Sequence, residues 1–203
     1  MKVLKFEASI WYHAIYAWRS SQKQRGLSFT HHKKSIYFGL FLMLLHVQII
    51  EGAGLHFVLH HVSPLLAWGS TFLHVYMIIW LLGDYNALRH SVFTLDNHSI
   101  HFQIGLRKSV RIPFDCIESI TAVRTSPETM KQETESFHAE ACPRIDPDIG
   151  LADTPQFELH LKRPVVSMGM FGRNKTVQKV YVHVDEPQAF IQAIKQKMEE
   201  YIR

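Results

Sequence analysis

Two long apolar stretches dominate the pattern of hydrophobic and polar positions along the chain. They cover residues 36–58 and 65–83, contain neither Lys nor Arg, and are joined by a short connector that ends at Pro64. Each stretch has about twenty residues, the length that an α-helix needs to cross roughly 30 Å of hydrocarbon. The pattern therefore predicts a transmembrane helical hairpin over residues 35–88.

The charges around the hairpin predict its orientation. Seven Lys or Arg residues and one Glu precede the first apolar stretch, the connector has no Lys or Arg, and Arg89 follows the second stretch. Lys and Arg are enriched in the cytoplasmic loops of membrane proteins. We therefore expect both termini to be cytoplasmic and the connector to face the other side.

The N-terminal segment, residues 1–34, is predicted to be a helix followed by a polar linker. Apolar side chains recur at helical spacing over residues 3–18, and they include the aromatic residues Trp11, Tyr12, Tyr16 and Trp18. Such rings favour an amphipathic helix that lies in the membrane interface. A helix docked on the C-terminal domain would carry the same stripe, so both interpretations stay open.

After Asp84 the pattern changes from helical to alternating. Ile100, Phe102 and Ile104 alternate with polar residues, which is typical of a strand with one buried face. We predict an antiparallel β domain of about seven strands within residues 89–203. An acidic loop at 125–154, with seven acidic residues and three prolines, is expected to interrupt the strands because it is too polar to form a core.

The chain ends in a predicted amphipathic helix. Asp185 is placed to cap it, Pro187 falls in its first turn and Gln188 stands at the capping-box position. An apolar stripe follows at helical spacing, formed by Phe190, Ile191, Ile194, Met198 and Ile202. The fold class is thus an α+β membrane protein, with a two-helix transmembrane hairpin followed by a β domain that this helix caps.

Two stretches resemble the bacterial pleckstrin-homology-like domains of small membrane proteins. They are LDNHSIHFQIGLRKSVRIPFDCIESI and VYVHVDEPQAFIQAI, and the segment LLGDYNAL looks like the junction in uncharacterised two-span bacterial proteins. The resemblance covers residues 35–203 and implies about seven strands in a bent sheet closed by the C-terminal helix. It also implies a protein of the bacterial inner membrane whose domain is a scaffold for lipid or protein contacts.

Four polar residues of the predicted spans form a candidate membrane polar cluster: His46, Glu51, His56 and His74. A carboxylate at the centre of a span costs about 2.5–3.5 kcal/mol. Glu51 is therefore either a proton or metal site with histidine partners, or a solvated residue near the outer interface. A hairpin turn near residue 60 would place His46 beside His74, and a turn near residue 61 would place Gln48 there. Either pair would form an interhelical hydrogen bond or, alternatively, a ligand pair.

Basic residues after the second span are candidates for contacts with lipid headgroups. The candidate set is Arg89, Arg107, Lys108 and Arg111. Each cation held near an anionic membrane surface contributes about 1 kcal/mol. The alternative is that these residues only set orientation and solubility.

The remaining chemistry of the sequence predicts a protein without catalysis. Cys116 and Cys142 occur in unrelated contexts and are expected to be reduced thiols, and we predict no metal site, no cofactor and no catalytic residue. A net charge of +4 without a concentrated patch does not predict nucleic-acid binding. We expect a membrane-anchored interaction or scaffold protein whose partners are the bilayer, including anionic lipids, and a membrane protein or a second copy. The alternative is a transport or proton/metal-coupled component that uses Glu51 and the membrane histidines.

Overall fold

A computed structural model of the chain describes residues 2–16, 26–142 and 153–202. These residues form five helices and eight strands. The helices are α1 (Lys2–Ile15), α2 (Tyr37–Val62), α3 (Pro64–His90), α4 (Pro127–Gln132) and α5 (Pro187–Ile202). The strands are β1 (Leu27–Phe29), β2 (Phe93–Leu95), β3 (Ser99–Ile104), β4 (Lys108–Pro113), β5 (Ile117–Ala122), β6 (Ser136–Ala139), β7 (Phe157–Gly169) and β8 (Asn174–Val182).

Helices α2 and α3 form the predicted hairpin and contain almost all of both predicted spans. Ser63 has extended backbone between them, and Pro64 begins α3 at the position where its missing N–H group costs nothing. Both helices are long and apolar enough to cross a membrane. They are longer than the apolar stretches, because α3 continues through the polar segment 84–90, where it lies against protein.

Helix α1 lies along α3. A Cβ atom at Gly83 would come within 2.5 Å of the carbonyl oxygen of Ile10, so only glycine permits this approach. The Asn86 side-chain amide donates to the carbonyl of His13 at 2.6 Å. Helix α1 packs mainly on α3 and contacts the β domain only near Phe171 among the described residues. Docking on the C-terminal domain is thus limited to this contact, and a position in the membrane interface stays a prediction. The outer face of α1 exposes Leu4, Trp11, Tyr12, Ile15 and Tyr16.

The β domain is a curled mixed sheet, whereas an antiparallel sheet of about seven strands was predicted. Its order is β1-β2-β3-β4-β7-β8-β6, and β5 also pairs with β7. Strands β6 and β8 are parallel and the other pairs are antiparallel. The chain leaves β6, forms β7 on the far side of β8, and returns through a hairpin, which makes β6 and β8 run the same way.

The segment predicted as an acidic loop, 125–154, contains part of the sheet. Helix α4 begins with the Ser126 side chain accepting a hydrogen bond from the N–H of Thr129, and β6 follows with Phe137 and Ala139 buried. The loop interpretation is wrong for this part because an acid there has partners on β8: Glu133 binds Lys179 and Tyr181. Residues 143–152 of the predicted loop lie outside the described residues.

One hydrophobic core joins the sheet, α5 and the base of the hairpin. Helix α5 inserts Phe190 and Ile194 into it, as the apolar stripe predicts, and the Phe190 ring lies 4.8 Å from that of Phe29. Tyr37, Leu40 and Leu88 of the hairpin belong to the same core. Strand β1, which lies in the segment predicted as a linker, is thus part of the sheet. Asp185, predicted as the α5 cap, accepts instead from the backbone of Lys33 and Lys34.

Candidate functional site

A buried charged network joins the base of the hairpin to the sheet. Arg107, in the turn between β3 and β4, donates from Nε to Asp84 Oδ1 at 3.0 Å and from Nη2 to Asp84 Oδ2. The same guanidinium donates to the Tyr37 hydroxyl at 2.5 Å and to the Ala141 carbonyl at 3.2 Å. Tyr37 in turn donates to Asp84. This junction network (Tyr37, Asp84, Arg107) therefore links α2, α3 and the sheet through one bidentate ion pair.

The turn that carries Arg107 is held directly beneath α3. Gly105 has a φ of +51°, and a Cβ atom there would lie 3.3 Å from the backbone nitrogen of Leu88. Its N–H donates to the Ser91 hydroxyl at 3.0 Å, and Ser91 donates to the Leu88 carbonyl at 2.8 Å. The glycine turn thus places Arg107 where it can reach Asp84.

Two more carboxylates bind the segment that leads into α2. Asp153 accepts from the Ser35 hydroxyl at 2.7 Å, from the Ile36 N–H at 3.1 Å and from the Cys142 N–H at 2.9 Å. Asp185 accepts from the N–H groups of Lys33 and Lys34 at 3.2 and 2.8 Å. Burial by itself would raise the pKa of Asp185, but these hydrogen bonds and one from Thr30 outweigh burial and lower it.

A fully buried histidine lies beside this segment. The His31 ring stacks on Phe93 with centroids 4.3 Å apart, and neither ring nitrogen has a hydrogen-bond partner among the described residues. Burial lowers the pKa of His31 to about 3, with a further lowering by His32. His31 is therefore a neutral core residue at physiological pH. Within residues 2–16, 26–142 and 153–202, no three His, Cys, Asp or Glu side chains are arranged to hold a metal ion.

A groove of about 680 Å³ lies between α2 and α3, towards the connector. His56 Nδ1 is 2.7 Å from the Thr71 hydroxyl, and His74 Nδ1 is 3.0 Å from Gln48 Oε1. The His74 ring lies over Gly52, where a Cβ atom would come within 3.0 Å of it. This hairpin groove is lined by apolar residues and by Gln48, His56, His60, His61, Trp68, Thr71 and His74.

The predicted membrane polar cluster is only partly brought together. His56 and His74 line the hairpin groove, whereas His46 and Glu51 are exposed elsewhere on α2. Of the two pairings open from the sequence, the structure has His74 with Gln48. Thr71 was not identified from the sequence as a residue of the hairpin groove. Its position three residues before His74 puts both on one face of an apolar helix, and this spacing is the signal that could have identified it.

A second pocket of about 680 Å³ lies between the β3–β4 turn and the β7–β8 turn. Lys108 Nζ lies 5.2 Å from the centre of the Phe137 ring, and Lys175 Nζ donates to the Ser136 carbonyl at 3.0 Å. No Asp or Glu is among the described residues that line it. The lining of this basic pocket includes Arg107, Lys108, Met170, Phe171, Arg173 and Lys175.

The predicted headgroup residues are distributed over different surfaces. Arg107 and Lys108 line the basic pocket, although Arg107 also forms the ion pair with Asp84. Arg89 is exposed at the end of α3. Arg111 lies on β4 three residues after Lys108, and its Nη1 is 3.8 Å from Asp96 Oδ2. The sequence did not indicate Arg173 and Lys175 as members of the same site, because they are more than sixty residues from Lys108 and only the sheet brings them together.

Both cysteines are buried. Cys142 lies beside Asp153, and burial raises the pKa of its thiol to about 11, with Asp153 adding to the effect. Such a thiol is a poor nucleophile because little thiolate forms near neutral pH.

Comparisons with protein-family models, with curated proteins and with solved structures found no match to this chain.

Proposed function

We propose that this protein is a membrane-anchored, non-catalytic interaction module that presents a pleckstrin-homology-like domain at the cytoplasmic leaflet of the bacterial inner membrane. The observation that carries the proposal is the contrast along the hairpin. Its base is fixed in the core of the sheet by the junction network, whereas the rest exposes large apolar side chains.

The exposed apolar surface supports membrane insertion. Beyond the base of the hairpin, residues such as Phe57, Leu65 and Phe72 are 69, 82 and 70% exposed. A contiguous apolar surface of this extent is rare on soluble monomers, because leaving it in water is unfavourable. In hydrocarbon the same surface is solvated by lipid, and the backbone groups are satisfied within the helices.

The rigid attachment of the domain supports a presenting role. Only Ser91 and Val92 separate the end of α3 from β2, and Ser91 is buried and hydrogen-bonded on both sides. A flexible tether would leave the domain free to rotate. Here the hairpin and the sheet share one core, so a defined face of the sheet meets the membrane surface and the opposite surfaces are offered to partners.

Accessibility of introduced cysteines tests the proposal. Ser63→Cys in the connector should react with a membrane-impermeant maleimide on intact cells, and Lys195→Cys, exposed on α5, should react only after permeabilisation. The native cysteines are buried and give a low background. The chain should also stay with membranes in alkaline carbonate. Labelling of Lys195→Cys on intact cells would overturn the orientation, and extraction by carbonate would overturn membrane anchoring.

A second candidate function is a transport or proton/metal-coupled component. The hairpin groove favours it, because four histidines, including His56 and His74 of the predicted cluster, line one continuous cavity. Glu51 was predicted to be the carboxylate of this component, but it does not line the groove. This weakens the predicted grouping of Glu51 with the membrane histidines. Proton flux into proteoliposomes distinguishes the two functions. The interaction module should give no flux above empty vesicles, whereas a flux that His74→Leu or Glu51→Gln abolishes would establish the second function.

A further inference from the structure

The basic pocket combines cations, an apolar rim and a position beside the hairpin. We propose that it binds the phosphate of an anionic phospholipid headgroup from the leaflet that the β domain faces. The proposal rests on the membrane anchoring and orientation proposed above. It names anionic phospholipid as the ligand class, and it replaces the predicted Arg89 and Arg111 by Arg173 and Lys175 of the basic pocket.

The position of the pocket follows from contacts along α3. One wall holds Arg107, which binds Asp84 at the base of the helix. At the rim, the Phe171 ring lies 4.8 Å from that of Phe6 on α1, and the neighbouring Glu7 accepts from the Tyr76 hydroxyl at 2.9 Å. Tyr76 precedes Asp84 by eight residues, which is about 12 Å along a helix. The rim therefore extends from the base of the hairpin along α3 towards the bilayer.

The rim itself exposes an aromatic side chain. Val166 and Met168, 64 and 60% exposed, lie on the opposite face of β7 from Ser167 and are not part of the rim. Phe171 is 42% exposed and has a φ of +58°, a left-handed conformation that is strained for a bulky residue. The turn thus holds an aromatic ring at the tip of the β7–β8 hairpin, where it can enter the interfacial region of a bilayer.

The charges of the pocket match an anion. Arg173 and Lys175 are exposed at its mouth, and Lys108 lies deeper beside Phe137. An adjoining pocket of about 610 Å³ is lined by Glu118, Glu133 and Glu135 together with Lys179, whereas the described lining of the basic pocket contains no Asp or Glu. The basic pocket is therefore the one of the two that suits an anion.

Lipid binding by the full-length chain in a neutral detergent tests the site. Native mass spectrometry would measure retention of phosphatidylglycerol and of phosphatidylcholine with the same acyl chains. Phosphatidylglycerol should bind at least tenfold more tightly. The double variant Arg173→Gln/Lys175→Gln should lose about 30-fold in phosphatidylglycerol affinity, because each cation near an anionic headgroup contributes about fivefold. Both residues are exposed, and the variant loses the hydrogen bond from Lys175 Nζ to the Ser136 carbonyl, so its thermal midpoint should fall by only a few degrees.

Three comparisons decide the result. The control Arg111→Gln/Arg163→Gln removes the same charge from exposed positions outside the pocket and should leave binding unchanged; an equal loss would mean non-specific attraction. Inorganic phosphate at the same concentration should displace little lipid, and full displacement would show a site for soluble phosphate. If the chain resists carbonate extraction but binds phosphatidylglycerol and phosphatidylcholine equally, the lipid-binding inference is overturned and the proposed function is not. If carbonate extracts the chain from membranes, the proposed function is overturned.

Discussion

The two ends of the hairpin have different surroundings. At the base, Leu40 and Leu88 are buried against the sheet, and Asp84 is satisfied by Arg107 and Tyr37. Towards the connector, apolar side chains are exposed and polar ones bond within the hairpin, as His56 does with the Thr71 hydroxyl and the Ala67 carbonyl. The comparison shows that hydrophobicity alone does not distinguish a helix end packed in protein from an exposed one. Burial of the apolar side chains and a charged partner from the sheet do distinguish them.

The junction network also explains how one end of the hairpin is fixed. A buried ion pair adds little net stability, because the cost of removing both charges from water offsets their attraction. It does penalise any arrangement that separates them. The bidentate contact between Asp84 and Arg107 therefore specifies how the hairpin docks, and the surrounding core supplies the stabilising area.

The largest expected effect comes from breaking this pair. Asp84→Ala leaves the mostly buried Arg107 guanidinium, whose side chain is 18% exposed, without its carboxylate. Breaking a buried pair in this way typically costs about 3–5 kcal/mol. The free energy of unfolding of the full-length chain in mild detergent should fall by this amount. Asp84→Leu combined with Arg107→Met should recover most of it, because no unpaired charge remains.

Asp115→Ala provides a matched control for this experiment. Asp115 pairs with Arg163 at 2.6 Å, but both side chains are largely exposed to solvent. Such pairs contribute about 0–1 kcal/mol. If Asp84→Ala cost no more than Asp115→Ala, the two ends of the hairpin would not differ in the way proposed.

The sequence was sufficient to predict the features that repeat along the chain. The hairpin follows from the length of its two apolar stretches, and the alternating strands around Ile100–Ile104 and the apolar stripe of α5 follow from periodicity. Strand β1 could not be predicted, because three residues between polar segments have no readable period. Strand β6 was hidden by acids whose partners, Lys179 and Tyr181, are more than forty residues away.

The candidate sites show the same limit. Arg107 is recognisable as a basic residue, but its neutralisation by Asp84 depends on a turn that only the fold places beneath α3. Lys108, Arg173 and Lys175 meet because β4 and β8 both pair with β7. By contrast, His74 and Gln48 could be paired from equal depth in an antiparallel hairpin. Local geometry was therefore predictable where the connection is short.

The next largest effect is the pH dependence of the free energy of unfolding that His31 causes beside the base of the hairpin. His31 has a folded-state pKa of about 3, below the value of 6.5 that it has when unfolded. Below pH 6.5 the His31 ring is protonated in the unfolded chain but stays neutral in the folded chain. The contribution of His31 to the free energy of unfolding is therefore fully present above pH 6.5 and is lost as the pH falls towards 3. Between pH 6.5 and 5 the loss from His31 should be about 2 kcal/mol.

Unfolding of His31→Phe over the same pH range isolates this contribution. Burial also lowers the pKa of His32, so His32 loses stability over the same pH range as His31. The pKa of Asp185 is lowered as well, but its contribution is lost only below its ordinary pKa of 3.8. The difference between parent and variant should therefore grow as the pH falls to 5. His61→Phe, at an exposed position near the connector, should follow the parent. An unchanged slope for His31→Phe would mean that water reaches the ring.

The smallest effect should come from the end of the hairpin near the connector. Gln48 and His74 form one interhelical hydrogen bond, and such pairs contribute about 0.6 kcal/mol on average in membrane proteins. A double-mutant cycle with Gln48→Leu and His74→Leu, measured by unfolding in bicelles, should give a coupling energy of this size. His46→Leu paired with Gln48→Leu should give none, since His46 lies outside the hairpin groove. A Gln48–His74 coupling well above 1.7 kcal/mol, the upper range for such bonds, would contradict a purely structural pair. The groove would then resemble the base of the hairpin, where the polar side chains form one coupled network.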